Sequence, residues 1–238
     1  MIKKKFLGIL GPRGFVGSSI VRYCKKNKIQ FVGITRKNNI KYKNFEFKFL
    51  INCAMPSKRY WAKKFPAKDY EETVKKTNFF LKHYTFKKIV QISSVSARVQ
   101  LDTIYGKNKK KAENLVKKFN NFTIFRLASM YGKGLGKGVL IDLSRSSTVF
   151  LNKNSRYSFT QVDKIAEFII TRINKFKNKT VEIGCNDYLQ LEDIKKKIGS
   201  KSKFRGEIDN QVLKYNKMNN FFGSSEDVFI FLKRTMHK

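Results

Sequence analysis

The chain has 238 residues, with 52 Lys and Arg against 17 Asp and Glu and a formal net charge of +35, a length that supports one large core or two unequal lobes. It has three prolines, no Pro- or Ser-rich linker, no internal repeat and no low-complexity tract, which excludes a repeat array; no stretch approaches the roughly 18 apolar residues of a spanning helix, which excludes a membrane span. Cys24, Cys53 and Cys185 are odd in number, far apart and without CxxC spacing, so a disulfide framework is excluded and a reducing cytoplasm is expected.

The basic start of the chain runs into a short apolar stretch, Phe6 to Leu10, with no small-residue cleavage site, and reads as a first strand rather than a signal peptide. Gly11-Pro12-Arg13-Gly14-Phe15-Val16-Gly17 follows, then a stretch with helical spacing through Ile20, Val21 and Tyr23, then a second strand from Phe31 to Thr35. Glycines in a strand-to-helix turn let backbone N–H groups approach a pyrophosphate, which the helix N-terminus attracts, so Gly11, Arg13, Gly14, Phe15, Val16 and Gly17 are candidate dinucleotide-binding residues. The competing reading is a glycine-rich turn in another α/β protein. No acid stands at Thr35-Arg36-Lys37, where a site for the unphosphorylated ribose would place one. Arg36, helped by Lys37 and Arg13, would instead pair with a 2′-phosphate and favour NADP over NAD, although in so basic a chain an Arg falls at such a position by composition alone.

Further strands are predicted over Phe45–Ala54, Lys88–Ser93, Phe122–Leu127 and Val181–Gly184, and helices over Asp69–Tyr84, Tyr105–Phe119, Val162–Ile173 and Glu226–Lys233. The interval from Arg36 to Asn52 is short, with a third strand running almost directly into a fourth and no room for a full helix. Met130 to Gly138 reads as a flexible basic loop. The alternation predicts an α/β fold, a Rossmann-type doubly wound parallel sheet. Residues 1–130 form its NAD(P)-binding core, and 131–238 complete the sheet and form a small C-terminal substrate lobe.

Tyr105 and Lys109 open the helix after the serine-ended strand four residues apart, so both lie on one face. An ammonium beside a phenol favours phenolate and draws the Tyr105 pKa toward working pH. Ser94, with Ser93 as the runner-up, ends a buried strand at the edge where open α/β sheets place ligands, and its hydroxyl would orient the same substrate oxygen. His83 and His237 have no partners at ligand spacing, so no metal is expected. Cys53 reads as a small buried filler.

These residues resemble the short-chain dehydrogenase/reductases, specifically the extended NAD-dependent epimerase/dehydratases of nucleotide sugars. The resemblance rests on Gly11, Gly14 and Gly17; Asn52-Cys53-Ala54; Ile92-Ser93-Ser94; Tyr105 and Lys109; Arg126 to Gly132, similar to the family's Arg-Pro-x-x-x-Tyr-Gly; Phe159 to Asp163, similar to Phe-x-His-Val-Asp; and Val181 to Gly184. It implies Tyr105 as general acid or base, Lys109 binding the nicotinamide ribose and tuning Tyr105, Ser94 orienting the substrate oxygen, and Asn52 and Ala54 at the cofactor. It implies further a cytoplasmic NADP-preferring enzyme, with NAD possible, acting on a nucleotide-linked sugar as a 4-keto reductase or 4-epimerase in surface polysaccharide synthesis. Homodimers are common in the family. Ser94 and Tyr105 are separated by a shorter stretch than extended members carry, Ala97-Arg98-Val99 replaces Val-Tyr-Gly, Gln161 the family's His and Lys164 its second acid, which implies a reduced substrate pocket. The charge of +35 motivates a second reading, a non-catalytic RNA-binding or scaffold member. Lysines spread evenly along the chain, beside abundant Asn, Ile and Phe, point instead to compositional bias, so a nucleic-acid partner is not expected.

Overall fold

The computed structural model describes residues 3–236. The first elements are β1 (Lys3–Leu10), α1 (Phe15–Lys26), β2 (Val32–Ile34), β3 (Phe45–Asn52), α2 (Arg59–Lys64), α3 (Pro66–Tyr70), α4 (Lys76–His83), β4 (Thr85–Ser94), α5 (Ser96–Val99), α6 (Ile104–Val116) and β5 (Phe122–Leu127). There follow β6 (Ser129–Tyr131), α7 (Val139–Ser144), β7 (Arg156–Tyr157), β8 (Phe159–Gln161), α8 (Val162–Arg172), β9 (Lys179–Ile183), β10 (Leu189–Gln190), α9 (Leu191–Lys197) and α10 (Val228–Met236). They form two compact units: one holds the chain up to Arg126 together with Ala166–Val181, the other Leu127–Ile165 and the chain from Glu182 onward.

A six-stranded parallel sheet, in the order β2-β1-β3-β4-β5-β9, is the frame of the first unit. Its centre is in register through Gly8↔Val32 and Gly8↔Leu50, and through Leu50↔Ile89. Every residue of β5 is buried, the mark of a strand covered on both faces. Leu10, Ile34, Leu50, Ile89, Val116 and Ile124 meet in one apolar cluster, with Leu115 and Phe119 packed against it, so α6 covers the sheet through Leu115 and Val116. Lys88 begins the buried part of β4, and its ammonium donates to the carbonyls of Ile173, at 2.6 Å, and Phe176, just past the end of α8. Carbonyls freed at a helix end thus satisfy a buried cation.

Two expectations need correction. Between β2 and β3 there is no additional strand, only a single 3₁₀ turn over Ile40–Tyr42. Asn38 folds this connection back on itself: its Oδ1 accepts from the Thr35 N–H at 2.7 Å and its Nδ2 donates to the Gly33 carbonyl at 3.0 Å. The helix expected over Asp69–Tyr84 starts earlier, at Pro66, whose fixed φ suits a first helical position, and a π turn over Glu71–Lys75 separates α3 from α4.

In the second unit β6 pairs with β8 in parallel and β7 with β10 in antiparallel. Met130 and Tyr131, expected in a loop, lie in β6. Tyr131, Leu143, Tyr157, Phe159, Ile194 and Leu232 form the core of this unit. No helix among the described residues is long and apolar enough to cross a membrane.

Candidate active site

The turn after β1 requires glycine for reasons that can be measured. Gly11 has φ +72, and a Cβ there would lie 2.9 Å from the Ala54 Cα. A Cβ on Gly17 would lie 2.2 Å from the Gly11 carbonyl oxygen. Gly14 caps α1 in extended conformation, its N–H donating to the Gly11 carbonyl at 3.1 Å and its carbonyl accepting from Ser18 at 2.7 Å. The opening residues Phe15, Val16 and Gly17 occupy the first turn, whose N–H groups have no partner within the helix, and no acid stands there to compete with an anion. Arg13 is exposed beside them. A pyrophosphate fits these donors and this close approach of backbone. We expect Gly17→Ala to destabilise the protein by about 1 to 3 kcal/mol, as overpacking against fixed backbone does, with urea denaturation as the measurement.

Asn52 points inward. It is buried, donates to Gln91 Oε1 at 3.0 Å, and accepts from the Ala54 N–H at 3.0 Å through Oδ1. Its side chain therefore shapes the loop that seats Gly11, and Ala54 is the residue that meets the glycine turn. A further contact was not foreseen: the Pro12 ring lies over Gly33, where a Cβ would come within 3.2 Å of it. Arg36 is 83% exposed along its side chain and is ion-paired with Glu72 at 3.0 Å.

Ser94 ends β4, α5 follows at once, and Thr103 caps α6 by accepting from the Gly106 N–H at 3.0 Å. Gly106, which sequence reading passed over, makes this arrangement possible: a Cβ on it would lie 2.0 Å from the Gln100 carbonyl oxygen and 2.7 Å from that of Ser96. Only glycine lets α6 sit so close to α5 and bring Tyr105 near Ser94, whose hydroxyl favours the phenolate. Ser94 Oγ is held in turn by the Ser96 N–H at 3.2 Å. Ser93 is turned away, donating to Glu113 Oε1 at 2.7 Å inside the core. Glu113 is bound through both oxygens by Arg126, at 2.8 Å and 2.6 Å, so this arginine of β5 is structural here.

Lys109 is 3% exposed. Its Nζ donates to the Pro56 carbonyl at 2.7 Å and lies 5.0 Å from the centre of the Tyr105 ring. Pro56 is two residues beyond Ala54, the residue facing Gly11, so the glycine turn and the Tyr105 helix meet on one short loop. Burial pushes the Tyr105 phenol up to about 12, opposed by the Arg59 guanidinium and the Ser94 hydrogen bond and reinforced by the Asp69 carboxylate. The expectation that Lys109 brings the phenol toward neutrality is thus corrected: burial outweighs every nearby cation, and the one that opposes it is Arg59. Burial also brings Lys109 down to about 7, against the pull of Asp69 and Glu113 toward the charged form. The phenol is protonated near neutral pH and able to give a proton to an oxygen held between it and Ser94.

Asp69 was missed in the sequence. It is fully buried, its Oδ2 accepts from Asn108 Nδ2 at 2.8 Å, and its Oδ1 has no hydrogen-bond partner among the described residues. Arg59 was missed as well, one basic residue among many. Asn108 beside Lys109, a polar residue on the buried face of α6, was the available signal for Asp69. Cys53 is half-buried with its thiol pushed up to about 12 by burial, which fits a filler. The His83 ring stacks on Phe79 with centres 3.9 Å apart; His237 lies outside the described residues.

No known family profile and no curated protein sequence matches this chain. Solved structures do share its fold. A structure of MoeE5 in complex with UDP-glucose and NAD superposes with a TM-score of 0.81 at 13% identity, covering 98% of this chain and 100% of that one. UDP-glucose 4-epimerase from Thermotoga maritima, with UDP-glucose, gives 0.71 at 15% identity, covering 96% and 100%. A dTDP-4-dehydrorhamnose reductase from Clostridium acetobutylicum gives 0.75 at 17% identity, covering 97% and 99%. The resemblance expected from the motifs is therefore met in the fold along the whole chain.

Proposed function

We propose that the protein is a nicotinamide-dependent oxidoreductase or epimerase of a nucleotide-linked sugar, of the extended short-chain dehydrogenase/reductase kind. The observation that carries this reading is the junction of the glycine turn with Tyr105, Ser94 and Lys109 through the Ala54–Pro56 loop. The fold shared with UDP-sugar epimerases and a dTDP-sugar reductase supports it. Of the two reactions a 4-keto reductase is favoured, in surface polysaccharide synthesis in the cytoplasm, with the sugar nucleotide held by residues 131–238 and a homodimer as the assembly.

A nicotinamide dinucleotide bound at the α1 N-terminus supplies hydride transfer. The chain's own residues do the rest. Ser94 orients the sugar oxygen, and Tyr105 moves the proton to or from it. Lys109, spanning from Pro56 to the Tyr105 ring, holds the ribose and keeps positive charge near the phenol, helped by the buried Asp69 carboxylate. The excess of basic residues suits a diphosphate ligand. Oxidation of NADH and NADPH over a panel of 4-keto-sugar nucleotides tests the reading, and no turnover with any of them counts against it.

Arg36, Lys37 and Arg13 support a preference for NADP. NADPH is expected to bind more tightly than NADH, with Arg36→Ala removing most of the difference. A charge-assisted contact to phosphate contributes about 1.5 to 3 kcal/mol, so the loss in NADPH affinity should be at least about tenfold. Titration of both cofactors checks it, and equal affinities in the wild type would refute it.

A further inference from the structure

The end of β2 has no acid of its own, yet a carboxylate reaches it from another part of the chain. Arg36 Nη2 lies 3.0 Å from Glu72 Oε2 and 3.3 Å from Oε1, so both carboxylate oxygens sit on that one nitrogen of the guanidinium. Glu72 lies 36 residues further on, in the π turn that interrupts the helical stretch between Pro66 and His83. Such insertions shift the following side chains around the helix axis and recur at functional sites. Glu72 also takes the ammonium of Lys76, one turn along α4. Two cations and one carboxylate are thus gathered next to the position where an open α/β sheet reads the ribose of a dinucleotide.

We propose that Glu72 sets the choice between the two nicotinamide dinucleotides, its carboxylate occupying the Arg36 guanidinium in place of a 2′-phosphate. The inference rests on the nicotinamide reading above and names the residue that grades it. Glu72 takes up Nη2, one arm of the fork that a 2′-phosphate would need for a bidentate grip, and places its own negative charge there. A 2′-phosphate has to displace Glu72 from Arg36 and then lie beside a like charge, whereas the hydroxyls of an unphosphorylated ribose can donate to that carboxylate. The Arg36 side chain is 83% exposed and that of Glu72 28%, so the pair is only weakly held and Glu72 restrains the phosphate without shutting it out. Its removal frees Lys76 as a second partner for the phosphate.

Dissociation constants for NADH and NADPH, measured by fluorescence titration, test this on the wild type, Glu72→Gln, and Glu72→Gln combined with Arg36→Ala. Glu72→Gln should tighten NADPH roughly three- to tenfold, the scale of an exposed ion pair with an added repulsion, while NADH binds no more tightly than before. Measured against Arg36→Ala alone, the gain from Glu72→Gln in the Arg36→Ala background should be much smaller, since only the repulsion and the freed Lys76 then contribute. An unchanged ratio of the two constants in Glu72→Gln overturns the proposal, as does equal tightening of both cofactors, which is a general charge effect. A gain that survives Arg36→Ala undiminished overturns it too. Wild-type protein that binds neither cofactor overturns instead the nicotinamide reading on which it rests.

Discussion

On the proposed function, Tyr105→Phe should lower turnover of a sugar-nucleotide substrate by roughly 10²- to 10⁴-fold, the range for a lost acid-base group, and leave cofactor affinity unchanged. The substitution keeps the ring, which is buried and lies under the Lys109 ammonium, and removes only the phenol hydroxyl. Lys109→Ala should damage both turnover and cofactor affinity, because the same side chain is placed to hold the ribose and packs on the Tyr105 ring. Steady-state kinetics and cofactor titration on the two variants separate the roles. Near-normal turnover in Tyr105→Phe would remove the catalytic assignment and favour the scaffold reading.

Glu113→Gln destabilises the protein by about 3 to 5 kcal/mol, the penalty for breaking a buried ion pair by removing one partner. Glu113 is fully buried and binds Arg126 through both oxygens while accepting from Ser93. The amide cannot neutralise the guanidinium, which keeps its charge at any accessible pH. Against a typical total of about 5 to 15 kcal/mol, such a loss is a large fraction of stability. Replacing both partners together, as Glu113→Leu with Arg126→Met, should cost much less, since no charge is then left uncompensated. Urea denaturation at neutral pH measures all three; a small loss in Glu113→Gln alone would mean that water reaches the pair.

The glycine turn was legible because its constraint is local. Gly11, Gly14 and Gly17 act within a few residues of one another, and the positive φ of Gly11 and the contact of Gly17 with the Gly11 carbonyl are properties of a single strand-to-helix turn. The four-residue spacing of Tyr105 and Lys109 was legible in the same way. Gly106 belongs to the same chemistry but was passed over, because it stands in no glycine pattern: what it avoids are the carbonyls of Gln100 and Ser96, brought to it by the turn between α5 and α6.

The sequence by itself determined the parallel α/β plan, the glycine turn after β1 and the shared face of Tyr105 and Lys109, since apolar periodicity and short spacings encode them directly. Only the tertiary structure decided how those residues are tuned. It turned Ser93 into the core toward Glu113, brought Asp69 and Arg59 to the Tyr105 helix, and set Glu72 against Arg36. The physical reason is that burial and charge act through space: Arg59 and Asp69, whose charges act on the Tyr105 phenol, lie dozens of residues away along the chain, and no spacing announces them.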